Sequence, residues 1–382
     1  MSVRALVNAR ILLDAGFVAG HGVLLRDGLI VAVVPESQAR AQADEVIDLQ
    51  GAILAPGFVD AQVNGGGGVL FNNDTSVEAI GRIGRGHRRF GTTAFLPTLI
   101  SDDAEVMRRA VAATQAALDA GTPGVLGIHL EGPYIAPARK GTHDAGKFRV
   151  PDPAEVEMAT ALRGGVTLIT LAPERVPVDT IRAFVGHGAK VVAGHTAASY
   201  EETRAGLGAG VTGFTHLYNA MSPLQGREPG AVGAALEDPD SWCGVIADGV
   251  HVHPGSLRVA LAAKPRGKVF LVTDAMPMVG ADSPSFDLYG ETITAVDGVV
   301  RNAEGSLAGS ALDMATAVRN CVQLVGLPLE EALRMAALYP AQFLGVDDRL
   351  GRIAPGLRAD LVALDAALQV VDTWIGGCAS AE

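Results

Sequence analysis

The chain has 382 residues, 48% hydrophobic and 19% charged, which excludes a disordered polypeptide and allows either two or three domains or one large barrel with an appendage. A formal net charge of −12 argues against nucleic-acid and anionic-membrane partners, which need a basic face, but leaves room for a small anionic substrate in a local positive pocket. Cys243, Cys321 and Cys378 are odd in number and far apart, so no disulfide framework is expected and a reducing, cytoplasmic setting is.

In chain order, Arg4, Arg10 and Asp14 interrupt the N-terminal apolar residues, so no signal-peptide core is expected. Nor does any apolar run approach the roughly 20 residues of a membrane-spanning helix. Residues 3–34 alternate short β-rich runs with turn signals, VRALVNARILL and then HGVLLRDGLIVAVV with a turn at Asp27–Gly28, and predict a hairpin-rich piece. From residue 53 the pattern becomes strand, loop, helix, repeated. The runs AILAPGFVD, TTAFLPTLI, VLGIHLEG, VTLITLAPE, KVVAGH, VTGFTHL, WCGVIADG and KVFLVTDA are apolar almost throughout, as strands covered on both faces of a parallel sheet are. Helices are expected between most of them, one over residues 102–120 and another opened by the capping-box pattern Ser199-Tyr200-Glu201-Glu202. Residues 351–377, GRIAPGLRADLVALDAALQVVDTWIGG, return to β-character. The expected class is α/β: a (β/α)8 TIM-type barrel over residues 53–348, and a small β-sandwich domain formed by the N- and C-terminal segments, residues 1–52 and 349–382.

Polar residues fall where those strands end. Glu131 ends VLGIHLE, His195 ends KVVAGH, His216 ends VTGFTHL, His251 follows VIADGV and Asp274 ends VFLVTD. In a barrel that face carries the active site. Glu131, His195 and His216 form a donor set suited to catalytic zinc, with a fourth position open. A lone histidine at a strand end is ordinarily structural; two on neighbouring strands, with a glutamate two units earlier, point to metal. Asp274 reads either as a helix N-cap or as the general base for metal-activated water. Of His251-Val252-His253, extended backbone lets only one face the centre; His251 is expected there, with His253 structural or exposed. His21, His87, His129 and His187 are expected to be structural, although His129, two residues before Glu131, could face the same interior. The run Gly65 to Gly68 could cradle a phosphate, but a tight turn alone explains it. One slot runs against a metal. Many hydrolases built on such barrels close the first strand with D-x-H-x-H; here it reads Asp60-Ala61-Gln62-Val63-Asn64, with both imidazoles replaced by carboxamides.

The segments IHLEGPYIAPARKGTH, VVAGHTAASYEE, GFTHLYNAMSPLQGREPG, IADGVHVHP, LVTDAM, GSLAGSALDM and LYPAQFLGV, in this order, resemble the N-acetylglucosamine-6-phosphate deacetylases of the amidohydrolase superfamily. The closing G-x-I-x-x-G-x-x-A-D-L-V resembles that superfamily's usual terminal motif, and the resemblance covers nearly the whole chain. It implies hydrolysis of the acetamide of N-acetylglucosamine 6-phosphate to glucosamine 6-phosphate and acetate. One divalent metal, usually zinc, would sit on Glu131, His195 and His216, with Asp274 as acid/base and His251 polarising the amide carbonyl. The resemblance further implies that Asn219 and Ala220, with Arg227 from the neighbouring subunit of a homodimer, hold the sugar phosphate. His143 would lie in a loop, ARKGTH, that closes over the sugar, and Ala308 and Gly309 of GSLAGSALDM would contact substrate. Members of this family with Gln and Asn in the first-strand slot bind one metal rather than two. Three rival expectations stand beside this one. A deacetylase for the galactosamine epimer differs by one hydroxyl configuration. A cyclic-amide hydrolase such as a dihydroorotase uses H-x-H and a carboxylated lysine, neither of which appears. A catalytically inactive scaffold would fit the missing H-x-H, but has no reason to keep Glu131, His195, His216 and Asp274 together.

Overall fold

The computed structural model describes residues 2–380. Eight parallel strands follow one another in chain order: Phe58–Val63, Thr92–Ile100, Gly127–Glu131, Val166–Leu171, Lys190–Ala193, Val211–Phe214, Trp242–Val245 and Val269–Leu271. The ring closes just beyond the last strand. Val63 bridges Ala275, the Asp274 N–H donates to the Gln62 carbonyl at 3.0 Å, and the Asn64 N–H donates to the Ala275 carbonyl at 3.0 Å. The first three strands are buried along their whole length, which is why they read as unbroken apolar runs. Helices cover the outside, each turning an apolar stripe inward; Val77–Arg88 buries Ala79, Ile80 and Ile83. The helix expected over 102–120 is Ala104–Asp119. In the helix Tyr200–Gly208 the Ser199 hydroxyl accepts the Glu202 N–H, and the Glu202 carboxylate accepts the Ser199 N–H, completing the capping box.

The run AILAPGFVD is not one strand. Ile53–Pro56 pairs with Arg10–Leu13 on one side and Leu361–Leu364 on the other, and only Phe58–Val63 enters the barrel. Gly57 makes the crossing: a Cβ there would stand 2.1 Å from Thr93 Oγ1. The barrel therefore starts at Phe58 rather than at residue 53. Strands from both chain ends share a six-stranded sheet, which packs on a four-stranded sheet through Leu6, Ile11, Val23, Leu25, Ile30, Leu54, Leu361 and Trp374. The turn expected at Asp27–Gly28 joins His21–Arg26 to Leu29–Pro35 with φ of 54° and 79°, the doubly left-handed form that matches hairpin twist. A three-stranded piece, Ser285–Leu288, Glu291–Val296 and Val299–Val300, was not expected. It is inserted after the last barrel strand, where Phe286, Leu288 and Ile293 pack against Ile100 and Met276. Among the described residues no helix is long and apolar enough to cross a membrane.

Asp60 stitches the closure from inside. Its Oδ2 accepts the Thr273 hydroxyl at 2.5 Å, and its Oδ1 accepts the amide N–H groups of Gln62 at 3.1 Å and Thr273 at 3.3 Å. Burial outweighs these hydrogen bonds and pushes its pKa up to about 7. A carboxyl whose pKa is higher folded than unfolded favours the fold at low pH, and that contribution is lost as the pH rises from its ordinary value to about 7. Asp60→Asn should remove this component, so urea midpoints of the variant should decline less than wild type across that window. Parallel declines would show that Asp60 titrates normally.

Candidate metal centre and active site

Glu131 is the last residue of its strand, and His195 and His216 each follow theirs by two positions. His195, His216 and Asp274 have φ of 47°, 32° and 53°. This left-handed geometry is uncommon outside glycine and persists only where the surroundings enforce it. Here it turns the chain at the strand end so that the side chains meet over the barrel mouth.

Glu131 Oε1 stands 2.9 Å from His216 Nε2 and 3.3 Å from His195 Nε2, and the two Nε2 atoms are 3.1 Å apart. His195 Nδ1 lies 2.8 Å from the Arg139 carbonyl, which can only accept, so Nδ1 carries the proton and Nε2 presents its lone pair to the cluster. Burial alone would push the Glu131 pKa up, but the two imidazoles outweigh it and hold the carboxyl well below the usual range. His216 is shifted the other way: burial opposes its protonation, and the Glu131 carboxylate more than offsets that. Both shifts have one cause, the carboxylate and the imidazoles favouring each other's charged forms. A carboxylate and two imidazoles whose ligand atoms lie within 4.8 Å of one another fit one divalent cation, leaving a position open.

Asp274 lies beside this set. No helix begins at Asp274; the next starts at Met314 and is capped by Asp313, so the N-cap reading fails. Asp274 Oδ1 accepts from Asn64 Nδ2 at 2.6 Å and from Gln62 Nε2 at 3.1 Å, while the same Gln62 Nε2 donates to Glu131 Oε1 at 3.0 Å. The carboxamides that stand in the imidazole slot are therefore donors to two carboxylates. Burial first, and then the Glu131 charge, push the Asp274 pKa up to about 6.

The other histidines separate cleanly. His251 Nδ1 is 2.6 Å from Asp248 Oδ2, which fixes the proton on Nδ1 and leaves Nε2 for the cavity. His253 caps the helix Pro254–Ala263, its Nδ1 accepting the Gly255 N–H at 3.1 Å. His129 lies deeper, bonded to Thr98 Oγ1 at 3.2 Å and Thr170 Oγ1 at 2.8 Å; burial pushes its pKa down to about 4, so it serves as a neutral core residue. His87 Nε2 donates to the Gly65 carbonyl at 2.8 Å, and Gly65–Gly66 pairs with Val69–Leu70, so the glycine run is a tight turn outside the cavity.

A cavity of about 470 Å³ opens over the metal set and is lined also by Asn64, His143, Asn219, Ala220, His251, Asp274 and Gly309. His143 Nδ1 accepts the Ser101 N–H at 3.3 Å, so its proton sits on Nε2, and its ring centroid is 4.4 Å from that of His195. Burial holds His143 well below the usual imidazole range. Two expected substrate contacts stand apart from this cavity's lining, Arg227 being expected at the neighbouring subunit's site rather than its own. Ala308 packs with Met276 and Phe286, leaving the lining to its neighbour Gly309. Arg227 is exposed on the loop before the helix Gly230–Glu237 and does not line the cavity of its own chain. Sequence reasoning missed Arg139 and Lys140, which line the cavity, and Asp248, which orients His251. The first two were legible as the basic pair of ARKGTH, separated from His143 by Gly141 and Thr142.

Purified protein should hold one divalent ion per chain by elemental analysis. His216→Ala should lose it, while Asn64→Ala, which removes a donor to Asp274, should retain it. Loss of the ion from Asn64→Ala would make the carboxamide a ligand after all.

The chain matches the amidohydrolase family over residues 53–378. It is 42% identical over 373 residues to the N-acetylgalactosamine-6-phosphate deacetylase of Shewanella sp. (strain ANA-3), covering 97% of this chain and 94% of that one. It is 37% identical over 376 residues to the N-acetylglucosamine-6-phosphate deacetylase of Haemophilus influenzae, covering 98% of each. The crystal structure of N-acetylglucosamine-6-phosphate deacetylase from Pasteurella multocida superposes with a TM-score of 0.95 at 38% identity, covering 99% of each chain. With a family match spanning most of its length and relatives this similar end to end, the chain belongs to the amidohydrolase family.

Proposed function

We propose that this protein hydrolyses the acetamide of N-acetylglucosamine 6-phosphate to glucosamine 6-phosphate and acetate, using one zinc ion held by Glu131, His195 and His216. The observation that carries the reading is the placement of Asp274, buried and free of any capping role, beside that donor set in a cavity large enough for a phosphosugar. The names of the Haemophilus and Pasteurella relatives support the substrate.

When bound, the cation supplies Lewis acidity and makes water acidic enough to lose a proton near neutral pH. The chain's own residues do the rest. Asn64 and Gln62 hold the Asp274 carboxylate so that one oxygen takes the proton from the attacking water. Asp248 orients His251 with Nε2 toward the acetamide carbonyl, where negative charge develops. Asp274 then returns the proton to the leaving amine. His143, neutral and protonated on Nε2, donates to the sugar, and Asn219 with the Ala220 and Gly309 backbone lines the remaining wall. Arg227, on its projecting loop, reaches the phosphate of the partner site in a cytoplasmic homodimer.

A second reading has a specific observation behind it: the Shewanella relative, at 42% identity, is named for the galactosamine epimer. Acetate release measured on both epimers separates the two. The proposal expects kcat/KM to favour the glucosamine epimer; a preference for the galactosamine epimer would replace it, and no release from either would end it.

Asp274→Asn should keep the metal and fold yet lower kcat by about 10²–10⁴, the usual worth of a positioned general base. Full turnover would move the base elsewhere. Arg227→Ala should raise KM for the phosphosugar by about 10-fold or more. Mixing Arg227→Ala with Asp274→Asn chains should restore one good site per hybrid dimer; verified hybrids without recovery would confine Arg227 to its own chain or to no role.

A further inference from the structure

We propose that Arg139 is a second phosphate ligand, supplied by the same chain, and that it joins substrate recognition to the metal centre. This inference rests on the deacetylase reading above and adds to it a residue that reads the substrate's anionic group.

The segment carrying Arg139 is wrapped around a metal ligand. The Ala136 N–H donates to the His195 carbonyl at 2.9 Å, and three residues later the Arg139 carbonyl accepts the His195 Nδ1–H at 2.8 Å. The single turn Pro137–Arg139 lies between these bonds. Gly141 then passes so close that a Cβ on it would stand 3.2 Å from His195 Cε1, at a φ of 57°. The main chain of residues 136–141 is thus tied to the metal site.

The Arg139 side chain lines the cavity, and its Nε is buried without a hydrogen-bond partner. A buried N–H with no acceptor is costly, and in a substrate cavity it marks where a ligand's acceptor belongs. Charge supports the same placement. The neighbouring Lys140 is neutralised by Glu304, with Nζ–Oε 2.8 Å, whereas Arg139 makes no ion pair among the described residues. Arg227 does not line the cavity of this chain, so Arg139 is the guanidinium the cavity itself offers to an anion. On a chain of net charge −12 a phosphate gains little from the general field and depends on such a local cation. A planar guanidinium can meet two phosphate oxygens with two parallel N–H bonds, which an ammonium cannot.

The two roles use different parts of one residue, so they can be tested apart. Arg139→Met removes the guanidinium and keeps the carbonyl that holds His195. In the slow Asp274→Asn background, N-acetylglucosamine 6-phosphate and unphosphorylated N-acetylglucosamine are titrated by calorimetry, with metal content measured on each preparation. The added Arg139→Met change should weaken the phosphosugar by about 10- to 100-fold and leave the unphosphorylated sugar within about threefold. Metal content should stay unchanged. Arg139→Lys, which keeps charge but loses the fork, should fall between Met and wild type. Unchanged phosphosugar affinity in Arg139→Met, or equal losses for both sugars, would overturn the assignment while leaving the deacetylase reading intact. If Asp274→Asn alone binds neither sugar, the deacetylase reading fails and this inference goes with it.

Discussion

Glu131 and Asp274 share one buried pocket, and the rest of the site follows from keeping two carboxylates there. Both lie within about hydrogen-bond reach of a single atom, Gln62 Nε2, at 3.0 Å and 3.1 Å. Two negative charges at that proximity in a poorly solvated interior repel, and the repulsion helps raise the Asp274 pKa. Positive charge must be brought to Glu131, which the imidazoles begin to supply and a divalent cation completes. Neutral donors must be brought to Asp274 without competing for that cation. Gln62 and Asn64 do this, because a carboxamide N–H₂ donates without carrying charge and is a poor ligand. The carboxamide slot thus stands between the donor set and Asp274.

The barrel makes this economical. Strands one, three, five, six and eight deliver the groups from far apart in sequence, and Asp60 fixes strand one against strand eight directly beneath them. The left-handed residues at the strand ends are tolerated because each is held by neighbours: His195 by Arg139 and Ala136, Asp274 by Asn64 and by the Ser310 N–H donating to its carbonyl at 2.8 Å. The inserted hairpin also reaches the mouth, where the Tyr289 hydroxyl donates to the Ser101 carbonyl at 2.5 Å and Ser101 in turn positions His143. Lys140 and Glu304 connect the two loops on either side of the cavity.

What was legible in the sequence was what periodicity and position encode. Strand-end polar residues stood out because the runs leading to them are mostly apolar, so Glu131, His195, His216 and Asp274 could be picked as candidates before any geometry was known. His251 lines the cavity and His253 does not, but a bend over residues 248–252 and the helix cap at His253 divide them, rather than alternation along extended backbone. The Asp27–Gly28 turn and the Ser199 capping box were local patterns with local causes. The missed features have tertiary causes. Gly57 looks like any glycine until Thr93 is placed against it, so the split of AILAPGFVD between two sheets was hidden. Gln62 and Asn64 looked like degraded ligands because their partners, Glu131 and Asp274, lie 69 and 210 residues away. Arg139 read as part of a loop, since nothing local says that its carbonyl faces a histidine 56 residues on.

The central claim is that one cation, and no second, offsets this pair of carboxylates and sustains the chemistry. Chelator-stripped protein titrated with zinc, with acetate release from N-acetylglucosamine 6-phosphate followed at each addition, tests it directly. Activity should be negligible without metal, rise in proportion to added zinc and stop rising at one equivalent per chain. Full activity in the stripped protein, or a rise that continues to two equivalents, would contradict it.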